Sequence, residues 1–279
     1  NMTESPASPL DKQQIIALYD QDPRREITYP RARREVTANV VRLVHTSDNG
    51  EGVVIHSQVD VSNVEDVIRD QVAYYEGIGQ DFEWKVYDYD RPPDLMDRLA
   101  ALGFEVEEPD AIMVLDLDEA PEMLLQPVTH TVRQITDPDK MGHVVEVENQ
   151  VWGEDFTDLG RNLAETLVDD PEWMSVYVAY VENKPVSAAW IFIPAPGTPL
   201  ETRTRFASLW GGSTLVESRG RGLYTALLAV RAQEAISRQV GFLTVDASPM
   251  SRPILEKFGF EQIAYAYECT WKVRTQEQE

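Results

Sequence analysis

From Ser218 to Leu228 the chain reads Ser-Arg-Gly-Arg-Gly-Leu-Tyr-Thr-Ala-Leu-Leu, a glycine-rich turn between an apolar strand and a helix. The first N–H groups of a helix have no intrahelical acceptor, and the helix dipole adds positive potential there, so an anion of pyrophosphate type lying against them satisfies both. Gly220 and Gly222 can adopt backbone angles closed to other residues and leave room for a phosphate against the main chain. Arg219 and Arg221 add local positive charge. An ordinary basic surface turn would have the same composition, so the neighbouring elements have to decide.

Two common phosphate loops do not fit. A Walker loop needs a Gly-Lys-Ser/Thr ending, and a dinucleotide fingerprint needs a third glycine where this chain has Thr225. Ahead of the loop, Phe206 to Val216 reads as a strand whose pair Gly211-Gly212 signals a bulge or the close approach of a ligand. After it, Leu223, Leu227 and Val230 fall on one helical face that would pack on a sheet. A second strand, Phe242 to Asp246, and a short helix running into Leu255-Glu256-Lys257-Phe258-Gly259-Phe260 complete the order.

That order resembles the GCN5-related N-acetyltransferase (GNAT) superfamily, whose acetyl-coenzyme A loop reads Gln or Arg, two residues, Gly, one residue, Gly or Ala. Arg219, Gly222 and Tyr224 occupy those positions, Tyr224 departing from the small residue of the pattern. The resemblance implies acetyl-CoA as co-substrate, held by backbone N–H groups of Arg219, Gly220, Arg221, Gly222, Leu223 and Tyr224, with the Thr225 hydroxyl near a phosphate. It also implies that the main chain of Leu215 and Val216 pairs with the pantetheine arm, and that Ser248 lies on the cofactor side. The implied chemistry is direct transfer of an acetyl group to a primary amine.

The acid and base are less legible. The family's usual general-acid tyrosine, five residues before the final Phe of the Gly-Phe pair, is here Leu255. Ser251 and Ser248 stand on the same segment, where capping the short helix before Pro253 is the ordinary use of at least one. Asp246 at its strand end, with Ser251, is the expected catalytic pair. Glu146 and Glu148 on the first helix of this half are further candidate bases, and Tyr265 or Tyr267 candidate acids, although solvated or packed side chains are the commoner fate of each.

The module occurs twice. Arg98-Leu99-Ala100-Ala101-Leu102-Gly103-Phe104-Glu105 resembles Ile254 to Glu261, and Phe104 and Phe260 stand 156 residues apart, a domain-sized spacing. Both endings are followed by strands, ending near Leu117 and Val273. Upstream the first half reads as a strand Gly52 to Val59, a helix Val64 to Tyr75 and a strand Phe82 to Tyr87. In place of the phosphate loop it has Val61-Ser62-Asn63-Val64-Glu65-Asp66, with carboxylates that repel a pyrophosphate. The expected fold is therefore α+β (mixed α/β): two acyl-CoA N-acyltransferase-like (GNAT) domains, each a mostly antiparallel sheet flanked by helices. Residues 1–120 form a degenerate copy without the loop, 118–129 a proline-bearing linker, and 126–279 the copy with the acetyl-CoA loop.

The second copy reads as a strand from His130 to Ile135, helices Lys140 to Val151 and Gly160 to Val168, and a hairpin of Trp173 to Val181 with Pro185 to Ile193 across Glu182-Asn183-Lys184. The loop strand, cradle helix, second strand, short helix and last strand follow. The proline-bearing connection from Pro194 to Thr204 is a candidate lid or an extended hairpin tip.

Composition narrows the function classes. A net charge of −23 argues against nucleic-acid binding and tilts the acceptor toward a cation, though acidity spread along the chain also serves solubility alone. No apolar run reaches membrane-span length and the polar N-terminal residues hold no signal-like core. The single cysteine, Cys269, reads as a buried structural thiol, and His45, His56, His130 and His143 lack metal-site spacing. The expectation is a cytoplasmic, metal-free N-acetyltransferase acting as monomer or homodimer on a small-molecule or peptide amine; the alternative is a non-catalytic acyl-CoA-binding sensor or regulatory module.

Overall fold

A computed structural model describes residues 10–47, 50–193 and 205–273; the candidate lid at 194–204 lies outside them. In chain order the elements begin with α1 (Lys12–Tyr19), a π-helical turn (Asp20–Arg25), β1 (Ala32–Val36), β2 (Val40–His45), β3 (Gly52–Ser57), α2 (Val64–Ile78), β4 (Phe82–Tyr87), α3 (Leu95–Ala101), β5 (Glu105–Val106) and β6 (Asp110–Asp116). They continue with α4 (Glu122–Leu125), β7 (Val132–Ile135), α5 (Gly142–Trp152), α6 (Thr157–Asp169), β8 (Met174–Val181), β9 (Lys184–Phe192) and β10 (Phe206–Thr214). The chain closes with α7 (Leu223–Ser237), β11 (Phe242–Ala247), α8 (Arg252–Glu256) and β12 (Glu261–Trp271).

Two compact units result. The first is built from residues up to Ile112, Asp246–Arg252 and the residues from Gln262 onward; the second from Met113–Val245 and Pro253–Glu261. The last strand of the chain thus belongs to the first unit, where β12 lies antiparallel to β4 with Cys269 opposite Trp84. Within the first unit the strands are ordered β1-β2-β3-β4-β12, with every pair antiparallel except β3 and β4. In the second, β7-β8-β9-β10-β11 repeats the pattern, with every pair antiparallel except β10 and β11.

In both units the parallel pair is short and then stops. Gly52↔Phe82, Val53↔Glu83 and Val54↔Trp84 end the first ladder; Phe206↔Phe242, Ala207↔Leu243 and Ser208↔Thr244 end the second. Beyond these points the strands no longer pair, which leaves backbone groups that something else must satisfy.

The first core gathers Val54, Ile68, Tyr75, Phe82, Trp84, Leu95 and Leu99, all buried, with Cys269 among them. α2 presents Val64, Val67, Ile68, Gln71 and Tyr75 inward, the spacing of one helical face, and ends on Gly79 at φ 69°. In the second unit α5 and α6 cover one face through Val144, Val147, Leu163 and Leu167. α7 covers the other with Leu223 and Leu227 against Ala179, Val186 and Ala189. The β8–β9 hairpin turns at Glu182 and Asn183, both at positive φ (50° and 63°), as primed two-residue turns require. The expected linker contains α4, whose Leu124 is fully buried.

Candidate functional site

The loop strand β10 carries the bulge that its glycine pair signalled. Pairing with β9 slips between Gly211 and Ser213, from Gly211↔Ala189 to Ser213↔Ala188. Gly211 and Gly212 take φ of 70° and 92°, the left-handed region in which a side chain is strained. Both are also sterically fixed. A Cβ at Gly211 would stand 2.6 Å from the Trp190 ring, and one at Gly212 3.0 Å from the Tyr224 ring.

After β10 the chain makes a short 3₁₀ turn, Val216–Ser218, and reaches Gly222, the N-cap of α7, at φ 77°. No side chain caps this helix. Its first internal bond is Ala226 N–H to Gly222 O at 2.9 Å, so the N–H groups of Leu223, Tyr224 and Thr225 are left without an intrahelical acceptor. Gly220 lies at φ 73°, and a Cβ there would meet nothing within 4 Å, so the space in front of the turn is open. These features fit a pyrophosphate: donors converging on open space, positive helix potential, and Arg219 and Arg221 alongside.

The expected contacts differ in how committed they are. Arg219 Nε donates to Thr214 O at 3.1 Å, tying its side chain to the strand end. Leu215 N–H donates to Val186 O at 2.9 Å and its carbonyl accepts from Ser218, which leaves Val216 N–H as the uncommitted donor of that pair. Arg221 and Gly222 are exposed, and the Tyr224 ring turns inward to lie 6.0 Å from Phe258 between ring centroids. Burial pushes the Tyr224 phenol up. The bulky residue at this position is therefore accommodated by the absent side chain of Gly212.

His130 is a member of this site that the sequence did not reveal. Its Nε2 lies 2.8 Å from Arg221 O, and a Cβ at Gly222 would come within 3.2 Å of its Cε1. Ninety-one positions separate His130 from Arg221 in the chain, so no local pattern announces the contact.

A second polar group stands at the bulge. Glu148 on α5 is buried, and its Oε2 accepts from Ser213 Oγ and from Trp152 Nε1, both at 3.0 Å, while Oε1 has no partner among the described residues. Trp152 Nε1 also reaches Ser213 Oγ at 3.1 Å. Burial raises Glu148 above the ordinary carboxylate value, and the two hydrogen bonds oppose that shift. Glu146, two residues earlier and so on another face of α5, is exposed.

Asp246, Ser248 and Ser251 lie in the first unit. The Asp246 carboxylate is ion-paired with Lys85. Burial would lower Lys85, but Asp246, Tyr87 and Tyr19 hold it well above its usual value. Ser248 and Ser251 bond each other at 3.1 Å between hydroxyls, and the Ser248 carbonyl accepts from Arg252 N–H at 3.0 Å, the arrangement of a helix start. Tyr265 accepts from Arg252 Nη1 at 2.9 Å. Leu255, where the family places its acid, is fully buried.

The first unit lacks a comparable cradle for a physical reason. At the start of α2 the Asn63 and Val64 N–H groups donate to Asp60 O at 3.3 and 3.0 Å, and Ser62 N–H donates to Asp60 Oδ1 at 2.7 Å. Glu65 and Asp66 follow in the first turn. Where β3 and β4 part, Arg24 bridges them. Its Nε donates to Ile55 O at 3.1 Å and its guanidinium stacks 4.0 Å from the Tyr87 ring centroid. A forked pair to Asp90, 2.9 Å on each arm, holds it there. Among the described residues no cluster of His, Cys, Asp and Glu could hold a metal, and no helix is long and apolar enough to cross a membrane.

No family model and no curated protein matches the sequence. Solved structures do match the fold. A GCN5-related N-acetyltransferase from Kribbella flavida superposes with a TM-score of 0.64 at 14% identity, covering 95% of this chain and 96% of its own. A tandem GNAT protein from the clavulanic acid biosynthesis pathway matches with a TM-score of 0.59 at 14% identity, over 99% of this chain and 92% of its own. A conserved protein of unknown function from Staphylococcus epidermidis gives 0.61 at 11% identity, over 89% and 99%. Identities this low speak of architecture: the chain has the GNAT fold, in two units of mostly antiparallel sheet flanked by helices.

Proposed function

We propose that this protein is an acetyl-CoA-dependent N-acetyltransferase whose second unit holds the cofactor and transfers the acetyl group to a primary amine. The observation that carries the reading is the uncapped start of α7, behind Gly220 and Gly222 at positive φ and next to a bulged strand. Gly220, Arg221, Gly222, Leu223, Tyr224 and Thr225 supply the pyrophosphate contacts through the main chain, Arg219 orients the turn, and Val216 N–H meets the pantetheine arm. Bound acetyl-CoA supplies an activated acyl carbon. The chain's task is then to place the amine and take its proton.

Glu148 and Ser213 suit that task better than Asp246, whose carboxylate is already engaged by Lys85. Ser213 Oγ accepts the amine proton while passing its own to Glu148 Oε2, the atom it already contacts at 3.0 Å. A carboxylate raised by burial is a stronger base than one in water, which moves it toward the working pH. Ser251 and Ser248 serve as helix-start residues in this account. The net charge of −23 favours a cationic acceptor.

One observation favours the alternative of an acyl-CoA sensor: buried Leu255 stands where the family's proton donor would be. Thiol release from acetyl-CoA across a panel of small amines and peptide N-termini separates the two. Release with any amine establishes transfer; binding of acetyl-CoA with no release from any of them establishes the sensor.

A further inference from the structure

Arg231 is a buried cation that meets no carboxylate among the described residues. It lies on α7, two turns past the cradle, and only 2% of its surface is exposed. Its Nε donates to Leu227 O of its own helix at 3.0 Å, and its Nη1 bridges two strand carbonyls, Trp190 O at 3.2 Å and Trp210 O at 3.1 Å. Among the described residues no acid pairs with it, and burial pulls its ordinarily very high pKa down to about 10. A guanidinium taken out of water without a counter-ion is costly, and an apolar side chain of the same length would fill the space more cheaply. Its presence calls for something that only donors can do.

The two carbonyls identify that need. Trp190 and Trp210 stand opposite each other in the β9–β10 ladder, one pair before the register slips between Gly211 and Ser213. Arg231 therefore grips the bulge at its entrance. Tyr224, seven residues earlier and on the same face of α7, touches the far side of the bulge at Gly212. One helix thus carries the anion cradle at its tip and holds the bulge at two points along its length.

Resting on the acetyl-CoA reading above, we propose that Arg231 is a positioning residue: it locks the β10 bulge to α7, so that the strand edge facing the acyl-pantetheine arm keeps a fixed spacing from the pyrophosphate cradle. Arg231 touches no cofactor atom in this account. It sets the distance between two sites that one ligand must span.

The test uses two probes, acetyl-CoA and its nucleotide half, 3′-phospho-ADP, titrated calorimetrically into the native protein, Arg231→Met, Arg231→Lys and Gly211→Ala. Native protein should bind acetyl-CoA more tightly than the nucleotide. In Arg231→Met the nucleotide affinity should stay within about twofold while acetyl-CoA weakens by about tenfold or more. Arg231→Lys, which keeps a charged donor group for the carbonyls without the guanidinium's planar fork, should recover part of the loss. Gly211→Ala, whose new methyl would meet the Trp190 ring, should show the same selective signature without touching Arg231, and it carries the test if Arg231→Met fails to fold. Equal weakening of both probes, or of neither, overturns the proposal by reducing Arg231 to a stabilising residue or to none. A native protein that binds the nucleotide with no gain from the acyl-pantetheine arm overturns it while leaving the cradle standing. Binding of neither probe takes down the cofactor reading itself, and this inference with it.

Discussion

Tyr224 and Gly212 share one space: a Cβ at Gly212 would stand 3.0 Å from Tyr224 Cε2. The side chain missing from the bulge makes room for the side chain that is unexpectedly large in the cradle. Two features that look independent in the sequence, the bulge glycine and the large residue after Gly222, are thus one packing solution.

That relationship predicts a coupling. Gly212→Ala carries backbone strain at φ 92° in any background, plus a clash that exists only with the tyrosine ring. Tyr224→Ala removes the clash and leaves the strain. In a double-mutant cycle read by urea unfolding, the pair should couple by about 1 kcal/mol, the alanine at 212 being less damaging when 224 is small. Additive losses would contradict the shared-space account.

Glu148 predicts opposite effects on stability and turnover. Its folded-state pKa is raised by burial, so the native state holds a proton more tightly than the unfolded chain. Stability is therefore lost as pH rises from the unfolded carboxylate value through the raised folded one, and the full cost is present above it. Glu148→Gln keeps an acceptor for Ser213 and Trp152 and carries no charge. Thermal melts at neutral pH should show it as stable as the native protein or more so, while turnover falls by about 10²-fold or more. A variant with unchanged turnover would remove Glu148 from the mechanism.

Much of this region is legible in the sequence. The glycine turn ahead of α7, the bulge at Gly211-Gly212 and the alternation of helices and strands in the second half follow from glycine placement and apolar periodicity, which are local. His130 beside Gly222, Arg231 beneath the bulge and Ser213 on Glu148 join residues 92, 21 or 41, and 65 positions apart, and no short window holds both partners. Glu148 is one of two candidate bases that the sequence offers on α5, and its burial against Ser213 carries no local signal. In the first half, α1, β1 and β2 went unread although Asp11 and Gln14 form a capping box ahead of α1. That β12 completes the first unit is beyond any local signal, because its apolar alternation would suit either sheet.

In the first unit, Glu83 gives a second pH signature. Burial, reinforced by Glu268, pushes its carboxyl up to about 7, against the opposing pull of Lys85. The native state takes up this proton as pH falls below about 7, so stability declines as pH rises from the ordinary glutamate range to about 7. Glu83→Gln should flatten that decline and stabilise the protein above pH 7 by on the order of 2 kcal/mol. Parallel stability curves for the two proteins between pH 5 and about 8 would rule the assignment out.

Arg24 separates folding from function. Replacing it by Met strands Asp90, whose side chain is only 6% exposed, without its forked partner, and should cost about 3–5 kcal/mol. The cradle lies in the other unit, so at a temperature where the variant is folded its acetyl-CoA affinity should match the native value. A parallel loss of affinity would contradict this separation of Arg24 from cofactor binding.

The most direct test of the account is calorimetric titration of acetyl-CoA into the native protein and a Gly222→Trp variant. At Gly222 the backbone sits at φ 77° and any side chain starts 3.2 Å from the His130 ring. An indole there fills the space in front of α7. The account predicts saturable one-to-one binding by the native protein and none by a folded Gly222→Trp variant. Absence of binding to the native protein, or equal binding to both, would contradict it.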